Sequence, residues 1–284
     1  MNQAGGPRIA PPMRRTRPGS GPEGSSSPDL LAHLRNIRAP DGLYRFKPGV
    51  GWATHVWKAL TRQDHRHWRP FIARYLPRDG VAIDVGAHGG QFTRLLSNLA
   101  PDGLVIAVEP SSYARSILRL ALWIRRARNV LVVATGLGDR AGLAMIRTPI
   151  KRRGDMGYGL TTFSALTRAS VAEPVPIVTL DSMVETLGLT AVHLIKADIE
   201  GFEAAMIAGG IQTIEQFRPA ILLEMSAPLL LRTGASLDDL WARMVGLGYT
   251  PYRSGDASQD LQPCTDGPED GDFVWISKTG GDIA

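Results

Sequence analysis

From Val81 onward, short apolar runs alternate with amphipathic ones, and that rhythm restricts the chain to a layered α/β fold. Residues 81–85, 104–108, 130–134, 193–197 and 220–223 have the length and apolar character of buried strands. Residues 91–100, 112–126 and 202–208 carry apolar side chains at helical spacing. The alternation predicts a mostly parallel sheet with helices on both faces, whose ligands collect at the carboxyl edge. A further helix is expected over about 237–247. Two closing strands, near 249–253 and 273–277, flank a Gly/Asp/Pro-rich connection and would form an antiparallel edge.

With 284 residues, 44% of them hydrophobic, the chain can bury one good-sized core. Residues 1–28 are rich in Gly, Pro, Ser and Arg without apolar periodicity, and are expected to be a disordered basic tail. Residues 29–78 read as a helical extension: Trp52, Val56, Trp57 and Leu60, then Trp68, Phe71, Ile72 and Tyr75, recur at three- and four-residue spacing. Such a lead-in would cap the core or roof a pocket. His65 and His67 are two apart, point to different faces of a helix, and read as surface residues rather than metal ligands. Residues 140–178 break the rhythm with Gly154, Gly157 and Gly159 among polar and basic residues, which predicts an inserted loop or hairpin where substrate contacts would lie.

No apolar run reaches transmembrane length, and no export-type apolar region follows Arg14-Arg15. The single cysteine, Cys264, cannot form an internal disulfide, so the expected location is the cytoplasm. The formal charge of +5 is dispersed among acids and accompanies no nucleic-acid-binding motif, so nucleic acid is not an expected partner. Arg125, Arg126 and Arg128 end a helix, where cations suit the dipole, and Lys151, Arg152 and Arg153 fall in a loop. Solvated faces are the plain reading of these clusters; an acidic substrate or an anionic surface is the other.

Residues 84–90, Asp-Val-Gly-Ala-His-Gly-Gly, follow the apolar Val81-Ala82-Ile83, so a buried strand ends in a carboxylate and a turn that only small residues can line. Gly86 would let backbone approach a ligand closely, Gly90 would permit tight packing of the next helix, and the amides near Gln91 and Phe92 could face an anion. The same turn could simply join a strand to a helix; context decides. Glu109 ends the second strand, about twenty residues on, where such units present a carboxylate to ribose hydroxyls. An exposed strand-end acid is the alternative for Glu109.

Residues 193–203, His-Leu-Ile-Lys-Ala-Asp-Ile-Glu-Gly-Phe-Glu, place more charge at a strand end than an ordinary buried strand carries. Val178-Thr179-Leu180-Asp181 precedes this run; Gly209-Gly210 and Arg218-Pro219 follow it. Together with 83–87 and Val108-Glu109-Pro110, these blocks resemble the FkbM-type methyltransferases, S-adenosylmethionine-dependent enzymes, over about 80–224. The resemblance implies a class I methyltransferase (Rossmann-like) fold over 79–284, usually a seven-stranded sheet with one antiparallel strand, and O-methylation of a hydroxyl on a small molecule, sugar, lipid or polyketide-like acceptor. Carried over by position, Asp84, Gly86, Ala87, His88, Gly90 and Asp139 fall to the cofactor side and Glu109 to the ribose. Lys196, Asp198, Glu200 and Gly201 match the family's Lys-x-Asp-x-Glu-Gly element, and Leu180-Asp181 its Leu-Asp pair. His88 stands where the turn commonly has Asn, so its role stays open between replacing an amide contact and facing solvent.

If the strand ending at Asp198 lies beside the one ending at Glu224, neighbouring strands about 4.8 Å apart bring both acids to one pocket mouth. Close carboxylates resist joint ionisation, so the pair raises one pKa or recruits a cation. Lys196 points to the same side as Asp198 by strand period and would pair with a core-edge acid or join the catalytic group. Methyl transfer to oxygen needs in-line alignment, worth about 7–11 kcal/mol, and proton removal, worth on the order of a hundred to ten-thousand fold. Asp198 is the expected base or polar anchor, with Glu200 and Glu224 as helpers; Asp198 and Glu224 are also candidate divalent-metal ligands. Capping of the next helix or cofactor binding alone is the other reading of Asp198. A nicotinamide-dependent oxidoreductase and a catalytically inactive nucleoside-binding interaction module remain as alternatives, although the turn lacks the full Gly-x-Gly-x-x-Gly pattern.

Overall fold

The computed structural model describes residues 49–62, 65–149, 170–254, 261–264 and 266–278. The expected basic tail, the first part of the helical lead-in and the glycine-rich centre of the insertion lie outside the described residues.

The main sheet has the order β10-β9-β11-β8-β7-β1-β2-β3. Its strands are β1 (Val81–Val85), β2 (Leu104–Val108), β3 (Val130–Val133), β7 (Leu194–Ala197), β8 (Ala220–Met225), β9 (Tyr249–Ser254), β10 (Leu261–Pro263) and β11 (Gly271–Ser277). The five strands β3, β2, β1, β7 and β8 run parallel, as crossover helices require. The sheet therefore has the expected seven strands and an eighth, the three-residue β10, on one edge.

The two closing strands pair antiparallel on one side of the sheet, as the sequence pattern predicts, but in reversed order. β11 inserts between β8 and β9 and is antiparallel to both. Its Phe273, Val274 and Trp275 are all fully buried, and a run buried on both faces needs cover that an edge position lacks.

Side chains alternate between two cores along each strand. Ile83, Val85, Ile221 and Leu223 face one layer, with helices α5 (Leu180–Thr186), α6 (Glu203–Ala208), α7 (Ile211–Phe217) and α9 (Leu237–Gly246). Ala82, Leu194, Ala220 and Leu222 face the other, covered by α2 (Arg69–Tyr75) and α3 (Gln91–Leu99). The lead-in thus caps the core: Trp68, Phe71 and Ile72 pack on Phe92, Leu95 and Leu96. Helix α1 (Val50–Thr61) sets Val56 and Ala59 against Tyr113, Ile117 and Ala121 of α4 (Ser112–Ile124), while Trp57 is exposed.

Residues 140–178 form a hairpin around the undescribed centre. β5 (Gly142–Pro149) and β6 (Ser170–Val178) pair antiparallel, and β6 runs parallel to β4 (Gly136–Leu137), making a second, three-stranded sheet. Helices α5, α7 and α8 (Ala227–Arg232) are only six or seven residues long, below the window in which helical periodicity is legible.

Candidate functional site

Strand β1 ends at Val85, and the backbone then turns through the left-handed region at Gly86, with φ of 77°. A Cβ at this position would overlap the Asp198 carbonyl oxygen, so only glycine lets the ends of β1 and β7 lie this close. Gly90, with φ of 82°, caps α3, and a Cβ there would strike the Leu118 side chain of α4. It serves helix packing, as its position predicted, and does not line the cavity on the cofactor side to which the resemblance also assigned it.

Between the two glycines, His88 holds φ of 55° and its amide donates to Glu109 Oε2 at 2.8 Å. Glu109 Oε1 accepts from the Ser111 amide, also at 2.8 Å. The carboxylate is thus pinned across the β2–α4 turn. Burial pushes its pKa above the ordinary carboxylate range, while the His88 imidazole and the two amides pull in the opposite direction. Arg115 of α4 donates to the Glu109 and Pro110 carbonyls, and Glu173 of β6 accepts from the Ser112 amide at 3.0 Å. The inserted hairpin is therefore tied to the turn that carries Glu109.

Sheet register assembles the rest. Ala197 pairs with Leu223 across β7 and β8, so Asp198 and Glu224 follow on adjacent strands, and Asp272 of β11 pairs with Glu224. Three acids stand in a row along the carboxyl edge. Lys196, two residues before Asp198, lies beneath them with its Nζ 3.5 Å from Asp84 Oδ1 and 3.7 Å from Asp198 Oδ2. Burial works against its charge, but Asp84 and Asp198 outweigh that and hold its pKa above the usual lysine value.

Asp84 is fully buried, accepts from Thr93 Oγ1 at 2.5 Å and neutralises Lys196. It sits one layer behind the cavity rather than on its wall. The cavity, about 290 Å³, is lined by Gly86, Ala87, His88, Glu109, Asp198, Glu200 and Glu224, among others. Glu200 holds φ of 56° at the turn after β7, and Gly201 follows at 100°, where a Cβ would overlap the Leu229 carbonyl oxygen. Asp139 lies elsewhere: it is exposed just past β4, pairs with Arg140 at 3.7 Å, and does not line this cavity.

A small apolar cleft adjoins the cavity, sharing Gly86, Pro110 and Ile199 and walled by Val108, Leu137 and Phe202. The cavity offers a carboxylate for a diol and acids at the far side, and the cleft, about 20 Å³ as it stands, adds an apolar border. That donor set fits an adenosine bearing a sulfonium, held by Glu109, the Gly86 turn and that border. Among the described residues no group of three or more His, Cys, Asp or Glu is arranged to hold a metal ion, so the metal reading of Asp198 and Glu224 gains no support.

Two contributors were not read from the sequence. His65, assigned to the surface, lies at the cavity wall with its ring 5.4 Å from that of Phe92; His67 is exposed. Asp272 enters through the β8–β11 register, which no local pattern encodes.

Solved structures resemble this fold at low sequence identity. A methyltransferase FkbM from Methylobacillus flagellatus KT is 15% identical with a TM-score of 0.46, matching 71% of this chain and 44% of its own, so the present chain spans less than half of that protein. A precorrin-6y C5,15-methyltransferase from Geobacter metallireducens GS-15 is 15% identical with a TM-score of 0.41, over 77% of this chain and 89% of its own. A Streptococcus mutans protein named as a methyltransferase and solved with SAH is 13% identical, with a TM-score of 0.39, over 73% and 93%. No curated protein matches the chain. No helix among the described residues is long and apolar enough to cross a membrane. The methyltransferase FkbM domain model matches residues 84–251, which run from the buried aspartate of β1 to β9 and include Glu109, Asp198 and Glu224. The chain belongs to the FkbM family of S-adenosylmethionine-dependent methyltransferases.

Proposed function

We propose that the protein methylates a hydroxyl oxygen of a small-molecule, glycan, lipid or polyketide-like acceptor. The observation that carries this reading is the Asp198–Glu224 pair, which opens on the same cavity as Glu109. When bound, the cofactor supplies an electrophilic methyl group on sulfur. Glu109 would hold the ribose through the lone pairs left by its two amide bonds, and the base would lie against the apolar border by Pro110 and Phe202.

The two acids of the pair are electrostatically unlike. Burial opposes the charge on Asp198, yet Lys196 and a hydrogen bond with Glu224 keep its pKa below the ordinary range. Burial, together with that hydrogen bond and the Asp198 charge, pushes Glu224 up to about 8. At neutral pH the pair thus carries one proton, on Glu224. Asp198 is the fixed anion that accepts a hydrogen bond from the acceptor hydroxyl and orients it. Glu224, with its pKa about 8, is the better match to the role of proton acceptor, which it fills in its ionised fraction as pH rises. Lys196 stays protonated; it positions Asp198 and is no base. Glu200, raised by burial and by Asp198, lines the same wall.

The FkbM match favours the sulfonium cofactor over nicotinamide, and the retained acids favour turnover over an inert binding module. Two measurements test the reading: binding of S-adenosylhomocysteine and of NAD to the purified chain, and transfer of labelled methyl to a panel of hydroxylated sugars, lipids and polyketide-like acceptors. Homocysteine-nucleoside binding with an O-methyl product is the expected result. Tight NAD binding without it, or methyl recovered only on nitrogen or carbon, overturns the proposal.

A further inference from the structure

A second cavity, about 760 Å³, lies at the opposite edge of the sheet, by the amino ends of β2 and β3, and shares no lining residue with the first. Five arginines line it: Arg66, Arg94, Arg125, Arg126 and Arg128, together with Ser97, Asn98 and Asn129. Among the described residues no carboxylate lines it.

Helix C-termini explain part of this charge. The ends of α1, α3 and α4 converge on the cavity, and each carries roughly −0.5 charge. The Leu60 carbonyl accepts from Arg94 Nη1 at 3.0 Å and from Arg125 Nη2 at 2.6 Å, and the Arg62 carbonyl from Arg94 Nη2 at 3.0 Å. Arg66 has a partner of its own; against the other four guanidinium groups the three helix ends supply roughly −1.5 charges, so more than half of that positive charge stands uncompensated. Arg94 is 4% exposed with its Nε left without a hydrogen-bond partner, and both burial and the nearby Arg125 charge disfavour its protonation. Arg126 and Arg128 are exposed and make no side-chain hydrogen bond or ion pair among the described residues. Asn129 accepts from Ser97 Oγ and donates to the Ser97 and Ala100 carbonyls, which stiffens the floor.

A single small anion would leave most of this volume and charge unmet. We propose that the basin binds a ligand bearing a phosphate or pyrophosphate group, with Arg126 and Arg128 as its recognition groups. Planar guanidinium forks match phosphate oxygens two at a time, which is the recognition these residues provide. Single-stranded nucleic acid calls for aromatic faces on which bases stack, and among the described residues none lines the basin. The exposed Trp123 and Ile124, just before the arginines on α4, make a lipid headgroup one source of that phosphate; a free phosphorylated metabolite is the other.

The test is calorimetric titration of inorganic pyrophosphate into the full chain, the variant Arg126→Gln/Arg128→Gln, and the charge-matched control Arg243→Gln/Lys278→Gln, which lies outside the basin. The expected result is saturable binding to wild type and control, weakened by added salt, with a loss of at least about tenfold in the basin variant. Circular dichroism checks that each variant is folded. Flotation with vesicles of phosphatidylcholine alone, or mixed with phosphatidylglycerol, separates the sources. Association with the anionic vesicles only, displaced by pyrophosphate, assigns a headgroup; pyrophosphate binding without vesicle association assigns a soluble ligand. Absence of saturable binding, equal affinity in the basin variant, or a preference for an RNA oligonucleotide that pyrophosphate does not displace overturns the proposal.

Discussion

Replacing Lys196 by methionine keeps the length of the side chain and removes the one charge that holds two carboxylates in place. Its Nζ is 3.5 Å from Asp84 Oδ1, and Asp84 is fully buried with Thr93 as its other side-chain partner. At an effective dielectric of about 20, unit charges at that separation attract by roughly 5 kcal/mol. The gain is offset by the desolvation that Lys196 no longer suffers, so Lys196→Met is expected to destabilise the fold by about 3–5 kcal/mol, the usual result of orphaning a buried charge. The cost should be largely recovered by Asp84→Asn in the same chain, because a neutral amide needs no counter-ion. Urea unfolding followed by tryptophan fluorescence gives all four corners of the cycle, provided the slope with denaturant stays constant. A loss below about 1 kcal/mol for Lys196→Met, or losses that simply add when Asp84→Asn is combined with it, would refute the assignment of Lys196 as the electrostatic keystone.

With Glu224 near pH 8, methyl-transfer rate at saturating substrates is expected to rise as pH increases through about 8, because the ionised fraction of the base grows. Asp198→Asn removes the charge and replaces a carboxylate acceptor of Glu224 by a weaker amide oxygen, so the rise should move to lower pH while the maximal rate falls; an unmoved midpoint counts against the coupling. Gly86→Ala must strain a left-handed backbone and displace the Asp198 carbonyl, and is expected to cost about 2 kcal/mol or more in stability and to weaken S-adenosylhomocysteine binding; wild-type behaviour in both assays would show the contact to be slack. Glu109→Gln keeps the shape but sets an amide donor against one of two backbone N–H groups, so homocysteine-nucleoside affinity should fall about tenfold or more and the fold should lose about 1–3 kcal/mol. Glu203 is buried, and burial lifts its pKa to about 7, so the native state holds a proton that the unfolded chain releases above the ordinary glutamate range. Stability should therefore decline between about pH 4.5 and 7, and Glu203→Gln should flatten that decline in thermal melts across pH.

The acids of the site were legible because they sit at strand ends, and strand ends follow from apolar run length. Asp198 and Glu224 met as expected once β7 and β8 paired in parallel. Asp84 shows the limit: a carboxylate at a strand end looks like a pocket wall until the neighbouring strand sends Lys196 across to cover it. His65 belongs to a loop whose position depends on how α2 packs over the sheet, and Asp272 on a strand that enters the sheet out of sequence order. Such facts are properties of register and packing, which no local spacing records. The basic run at 125–128 was visible as charge, but the enclosure that gives it meaning needs three helix ends to converge.

The out-of-order entry of β11 also bears on how the protein is made. When β8 has emerged from a ribosome, its outer backbone groups face an empty seat, and β9 cannot fill it, because the native neighbour of both is still to be synthesised. During that interval the nascent chain presents a long, apolar, hydrogen-bond-hungry border of the kind that recruits chaperones or sticks to its own copies. Premature termination after β8 but before residue 271 would make that vulnerable border permanent.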